Sequence, residues 1–175
     1  MDRLAIYFFW DANGIVRNFV PFYIQSLHEV SSKVFTVVNG ELDKENYNKI
    51  AGVSDHVYCR ENVGFDVWAY KSAMEKIGWE QIVKYDELIL CNYTCYGPMF
   101  PFSEMFFEME NRSCDFWGPV KHPEQNNYLL PNNNGYIHEH LMSYFIVIRH
   151  KMLTSKDFQY YWEKIPPITS KTEST

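Results

Sequence analysis

Residues 85–98 read YDELILCNYTCYGP. The segment 87–91 reads as a buried strand around Leu88, Ile89 and Leu90, and it stops abruptly in a polar loop closed by Gly97 and Pro98. In an open α/β sheet, ligands sit in the crevice beyond the carboxyl ends of the strands, where loops are free to carry chemistry. Asn92, Tyr93 and Thr94 occupy that place.

Working outward, strand and helix patterns alternate. Residues 4–10 form a continuous apolar run of the kind a central parallel strand shows. After the Asp11–Gly14 turn, apolar positions from 15 to 30 recur at helical spacing, with Pro21 early in the run. A second strand is predicted over 33–38, ended by Asn39 and Gly40, and Asp43 is placed to cap a short helix running to Ile50. A third strand covers 55–59. A helix is predicted over about 67–77, with Gly78 as its C-terminal stop. Beyond the opening strand, 102–110 reads as a helix entered by Pro101, and 114–118 as a strand end or tight turn. Residues 122–135, rich in Asn, read as a long mobile loop, 140–148 as a strand and 155–165 as an aromatic-faced helix. The alternation predicts a three-layer α/β/α domain with a mostly parallel sheet over residues 1–165, followed by a disordered polar tail, 166–175.

At 175 residues the chain suits one domain. Its net charge of −6 argues against non-specific nucleic-acid binding, which needs a basic face. Aromatic residues at 18% exceed ordinary usage and read either as an aromatic core or as stacking surfaces in a cleft. Cys59, Cys91, Cys95 and Cys114 form no CxxC pair, so they read as free thiols of a reducing compartment, with Cys59 and Cys91 at buried strand ends. The apolar start is too short for a signal sequence or a membrane span.

Three polar loops are read as following strands: 60–66, 92–97 and 115–119. On a parallel sheet they share one rim. The first offers Arg60, Asn62, Gly64 and Asp66, with Asp66 equally readable as the cap of the next helix. The second offers Asn92 and Thr94, and the third Asp115 beside Trp117. There is no GxGxxG, no GxxxxGK[ST] and no GxSxG. His138 and His140 would share a strand face and can be read as metal ligands, although solvated imidazoles explain them more cheaply.

In order and approximate spacing, the segments RENVGFD (60–66), ELILCNYTCYGP (87–98), DFWG (115–118), HLMSYF (140–145) and FQYYW (158–162) resemble the rhamnan synthesis protein F family. The likeness spans roughly residues 4–165. Members resemble GT-A glycosyltransferases of bacterial cell-wall polysaccharide and lipopolysaccharide synthesis. The resemblance therefore implies a GT-A-like fold, a cytoplasmic location facing the membrane, a nucleotide-sugar donor with rhamnose as first guess, and a glycan or lipid-linked glycan acceptor. It also implies further chain beyond the 158–162 helix. Arg60, Asn62, Gly64, Asp66, Asn92 and Thr94 fall on the donor side; Asp115 is the expected general base. Trp117, His140 and Ser143 are expected to face the sugar or acceptor. A divalent cation, Mg²⁺ or Mn²⁺, is the family's usual counter-charge, held by the carboxylate of an Asn-Asp-Ser or Asn-Asp-Thr loop. Here that loop reads Asn92-Tyr93-Thr94, so the carboxylate is replaced by a neutral phenol. The alternatives are a metal held by Asp66 or Asp115, or charge stabilised without metal by Arg60, Lys121, His122 or a helix N-terminus. Trp68 and Met142 also depart from the family pattern. Trp68 is expected to narrow the cleft and Met142 to remove an amide from it. An impaired enzyme that only binds nucleotide sugar or glycan is the second expectation.

Overall fold

The structure, a computed structural model, describes residues 1–126 and 136–166. In chain order its elements are β1 (Arg3–Trp10), α1 (Phe19–Leu27), β2 (Lys33–Asn39), α2 (Lys44–Ala51), β3 (His56–Arg60), α3 (Phe65–Ile77), α4 (Trp79–Ile82) and β4 (Glu87–Asn92). They continue with α5 (Phe102–Glu110), β5 (Phe116–Trp117), β6 (Lys121–His122), β7 (Gln125–Asn126), β8 (Tyr136–Ile137), β9 (His140–Leu141), β10 (Phe145–Arg149), α6 (His150–Leu153) and α7 (Lys156–Lys164).

The main sheet has six strands in the order β3-β2-β1-β4-β10-β5. β1 pairs in parallel with β2 and with β4, and β2 in parallel with β3, whereas β10 runs antiparallel to both β4 and β5. Alternating residues of β1 feed two cores. Ala5, Tyr7 and Phe9 pack with Val20, Tyr23 and Ile24 of α1 and with Phe102 and Phe106 of α5. Leu4, Ile6 and Phe8 pack with Ala69, Tyr70, Ala73 and Met74 of α3. This is the three-layer, mostly parallel α/β/α arrangement the alternation predicted. Because both faces of β1 and β4 are covered, their inner stretches, Leu4–Trp10 and Leu88–Cys91, are apolar throughout.

The predicted helix at 15–30 is shorter in the structure, because residues 15–18 form a loop and α1 begins only two residues before Pro21. Asp43 caps α2 as expected, accepting the Asn46 amide at 2.7 Å. α3 begins at Phe65, two residues earlier than predicted. Gly64 takes the N-cap position in a left-handed conformation (φ 75°), so Asp66 lies in the first turn and is not the cap. The strand predicted over 140–148 divides into β9 and β10, with a break at 142–144. Cys91 is buried but Cys59 is exposed, against the sequence expectation, because β3 is an edge strand. The mobility expected of 127–135 and the disorder expected of 167–175 lie outside the described residues.

The buried Glu87 opens β4. It meets Arg3 at 2.6 Å and Arg149 at 3.3 Å, so a charge cluster ties β1, β4 and β10 together at the sheet's amino rim.

Candidate functional site

β1 connects onward to β2 on one side of the sheet, while β4 lies on its other side, so the strand order reverses between β1 and β4. That is the switch point at which open α/β sheets leave a crevice. A cavity of about 340 Å³ opens there, beyond the carboxyl ends of both strands, lined among others by Asp11, Arg17, Phe19, Tyr93, Thr94 and Tyr96. A larger groove of about 610 Å³ between 98–101 and α5 is lined by apolar chains and edged by Glu104 and Glu108. It takes no group from a strand end.

Beside the cavity, helix and strand ends converge on one carboxylate. Asp66 projects from the first turn of α3. Its Oδ2 accepts the Ser143 hydroxyl at 2.9 Å and, more weakly, the buried Asn92 amide at 3.4 Å. One helical turn on, the Tyr70 hydroxyl donates to the Ser143 carbonyl at 3.3 Å, so α3 grips the break between β9 and β10 at two points. Burial pushes the Tyr70 phenol well above its ordinary value, with the Asp66 carboxylate adding to the rise. Asn92 Oδ1 also accepts the Thr94 amide (3.0 Å) and hydroxyl (2.6 Å), a side-chain-closed turn that fixes the loop after β4. Asp66, Asn92, Thr94 and Ser143, singled out from the sequence, are thus brought together.

Arg60, Asn62 and Gly64 form the neighbouring loop. Arg60 donates to Asn39 at 2.7 Å and to the Val63 carbonyl at 3.0 Å, and Asn39 donates to Asn62 at 3.3 Å. The Arg60 guanidinium is therefore a brace for the loop. At Gly64 a Cβ would lie 2.3 Å from Trp68, so only glycine allows this entry to α3.

Asp115 and Trp117 stand elsewhere. Asp115 precedes β5 instead of following a strand. Its carbonyl accepts the amide of Arg149, which is in register with Glu87 at the start of β4. That puts Asp115 at the amino rim, about 17 Å along the strand direction from the level of Asn92 at the usual rise per strand residue. Its carboxylate pairs with Lys151 at 2.9 Å. Trp117 is buried between Phe106 and Phe145 and presents no free face to a sugar. His140 stacks on His122, 5.0 Å between ring centroids, and donates from Nδ1 to the His138 carbonyl at 2.8 Å. His138 lies between β8 and β9 and so does not share a strand face with it. Trp68, expected to narrow the cleft, turns away and donates to the Pro166 carbonyl at 2.9 Å.

Sequence reading passed over Asp11, Arg17 and Asn39. Asp11 Oδ1 accepts the amides of Asn13 (2.9 Å) and Ile15 (3.0 Å), which hold its carboxyl below the usual range, so it is ionised at neutral pH. The available signal was position: Asp11 and Asn39 come at the ends of apolar strands, as Asn92 does.

The donor set does not suit a divalent cation held in the family's usual way. Tyr93 packs edge-on against Phe8, Phe9 and Trp10 with centroids 5.6, 5.7 and 6.4 Å away. Burial, then the Asp66 and Asp11 carboxylates, raise its phenol above the ordinary value, so it stays neutral. Asp66 already accepts from Ser143, Asn92 and the Val67 amide. Among the described residues no three His, Cys, Asp or Glu side chains stand close enough to hold a metal ion.

The model of the family described as rhamnan synthesis protein F matches residues 34–175. No curated protein matches the chain. Among solved structures, a CMP:2-keto-3-deoxy-manno-octonic acid synthetase complexed with CTP is similar at 10% identity and a TM-score of 0.54, over 99% of this chain and 81% of that one. HddC from Yersinia pseudotuberculosis aligns at 10% identity and 0.49, over 97% and 89%. Core-mannan synthase A from Aspergillus fumigatus, in a Mn/GDP form, aligns at 11% and 0.42, over 93% and 63%. At such identities the first likeness speaks to fold alone. Among the described residues no helix is long and apolar enough to cross a membrane.

Proposed function

The chain belongs to the rhamnan synthesis protein F family, and from that premise we propose that it is a glycosyltransferase using a nucleotide-sugar donor. Rhamnose is the first donor sugar to test, and a cell-surface polysaccharide or lipopolysaccharide the first acceptor. The observation that carries this reading is the joining of a switch-point cavity to the Asp66–Asn92–Ser143 cluster on the same rim. Transfer breaks the bond from the anomeric carbon to the diphosphate oxygen, which keeps the electron pair. The acceptor oxygen forms the new bond and gives its proton to a base. Asp115 was the sequence candidate for that base; Asp66 is the carboxylate on the correct rim, oriented by Ser143 and Asn92. The first loop and the turn at Thr94 give the donor side its shape.

Calorimetry with UDP-, GDP- and dTDP-sugars, followed by donor hydrolysis, tests the reading. One nucleotide class should bind and be slowly hydrolysed. Asp66→Ala should lower turnover about a hundredfold, in the range of losing a general base. If no nucleotide sugar binds, the reading falls.

A second reading, donor binding without turnover, is favoured by one observation: neutral Tyr93 stands where the family's metal carboxylate is expected. Donor binding that Asp66→Ala leaves unchanged, with no hydrolysis by either protein, would select it.

A further inference from the structure

A nucleoside diphosphate brings two to three negative charges to a site, and those charges need a counter-charge whether or not transfer follows. The phenol of Tyr93 supplies none. Three basic side chains that the sequence offers as counter-charges are committed. Arg60 braces its own loop through Asn39 and the Val63 carbonyl. Lys121 is paired with Glu139 at 2.7 Å. His122 stacks on His140 and contacts the Pro123 carbonyl at 2.7 Å. Arg17 differs from all three. It lines the switch-point cavity together with Asp11, Tyr93 and Thr94. Among the described residues its guanidinium makes no hydrogen bond and no ion pair within 4.0 Å, and its charge is felt by the Asp11 carboxylate across the cavity.

Resting on the donor reading above, we propose that Arg17 is the diphosphate-binding cation of this cavity, in the role that a carboxylate-held metal ion would otherwise fill. Several features of the chain support the assignment. Residues 15–18 are held out of α1 as a loop, which brings Arg17 to the mouth of the cavity instead of the helix surface. That loop is pinned at both sides: Ile15 donates to Asp11, and Val16 donates to Asn46 of α2 at 2.8 Å. The guanidinium fork matches two phosphate oxygens, keeps its charge at every accessible pH, and sheds its hydration more readily than an ammonium. Asp11 lies in the same cavity as a fixed acceptor. It repels the diphosphate from its own end and so confines the anion to the Arg17 side, leaving its free oxygen to nucleoside hydroxyl or N–H groups.

The test uses the full chain, with inorganic pyrophosphate and the nucleoside diphosphates UDP, GDP and dTDP as probes, titrated calorimetrically in EDTA and again with Mn²⁺. The proposal expects binding in EDTA within about twofold of that with Mn²⁺. Arg17→Gln should weaken it about tenfold to a hundredfold, as loss of charged hydrogen bonds does. Arg17→Lys should recover part of the loss. Lys44→Gln, which removes an equal charge from exposed α2, should change nothing. Binding that requires Mn²⁺ and ignores Arg17→Gln overturns the assignment while the donor reading stands. Arg17-dependent pyrophosphate binding with no nucleotide preference supports the anion site and removes the donor reading. Absence of any diphosphate binding overturns the assignment outright.

Discussion

Tyr93 is the residue on which the chemistry turns. Its ring fills the space between Phe8, Phe9 and Trp10, and its hydroxyl feels both Asp11 and Asp66. Replacing it with Asp exchanges a well-packed ring for a third carboxylate near two others. Without a cation, the lost packing and the like-charge repulsion should lower stability by about 2–4 kcal/mol. A divalent ion that binds the folded state alone should restore part of it, by about 2.7 kcal/mol at a hundredfold excess over its dissociation constant. Thermal melts of Tyr93→Asp with and without Mn²⁺ check this, and the unsubstituted chain should show no comparable shift. A variant that melts at the same temperature in both conditions would mean that Asp66 and Asp11 cannot close around an ion. The identity of Tyr93, and the conflict it creates with a metal carboxylate, was legible in the sequence. Arg17 was not, because helical spacing of its neighbours assigned it to the surface of a helix that begins two residues later.

At the level of elements, the parallel half of the sheet was legible and the antiparallel half was not. β1, β2 and β4 are covered on both faces, so each appears as a mainly apolar run whose end marks the active rim. Strand direction leaves no comparable trace. β5 is only two residues long, and the polarity of the loop before it resembles that of a loop after it, so Asp115 was assigned to the wrong rim. Leu141 and Met142 hid the break that lets Ser143 reach Asp66. The charge cluster at the foot of β4 was equally hidden, since Glu87 reads as an ordinary strand start. Its burial at 3% exposure between Arg3 and Arg149 gives it weight. Glu87→Ala leaves two guanidinium groups facing each other away from water, and should cost about 3–5 kcal/mol in urea unfolding. A loss below about 1 kcal/mol would mean that water replaces the carboxylate, and that the cluster does not hold β1, β4 and β10 together.

Across the whole molecule, the C-terminal helix is fastened to the helix that begins at the site. Lys71 of α3 donates to the carbonyls of Glu163 (2.9 Å) and Ile165 (3.3 Å) at the end of α7, and its ammonium lies 5.5 Å from the Trp68 ring centroid. Trp68 in turn donates to the Pro166 carbonyl, and Phe158 packs edge-on against Trp79 of α4. A cation on the last carbonyls of a helix satisfies groups that have no partner within the helix and complements its dipole. α7 contributes no fully buried residue, so these polar contacts carry much of its attachment. Lys71→Met keeps the apolar stem and removes the donor. It should raise amide exchange across 156–164 by about 5–30-fold, equivalent to about 1–2 kcal/mol of local opening, and leave β1 and β4 unchanged. Asp66 lies five residues earlier, in the first turn of α3, held by its own contacts to Ser143 and Asn92, so donor affinity should stay within about twofold. Exchange rising equally in the sheet would show that α7 belongs to the global core. Unchanged exchange in 156–164 would place its attachment in the Phe158 and Trp162 packing instead of the cap. Either result would separate the helix that carries the site from the helix that leans on it.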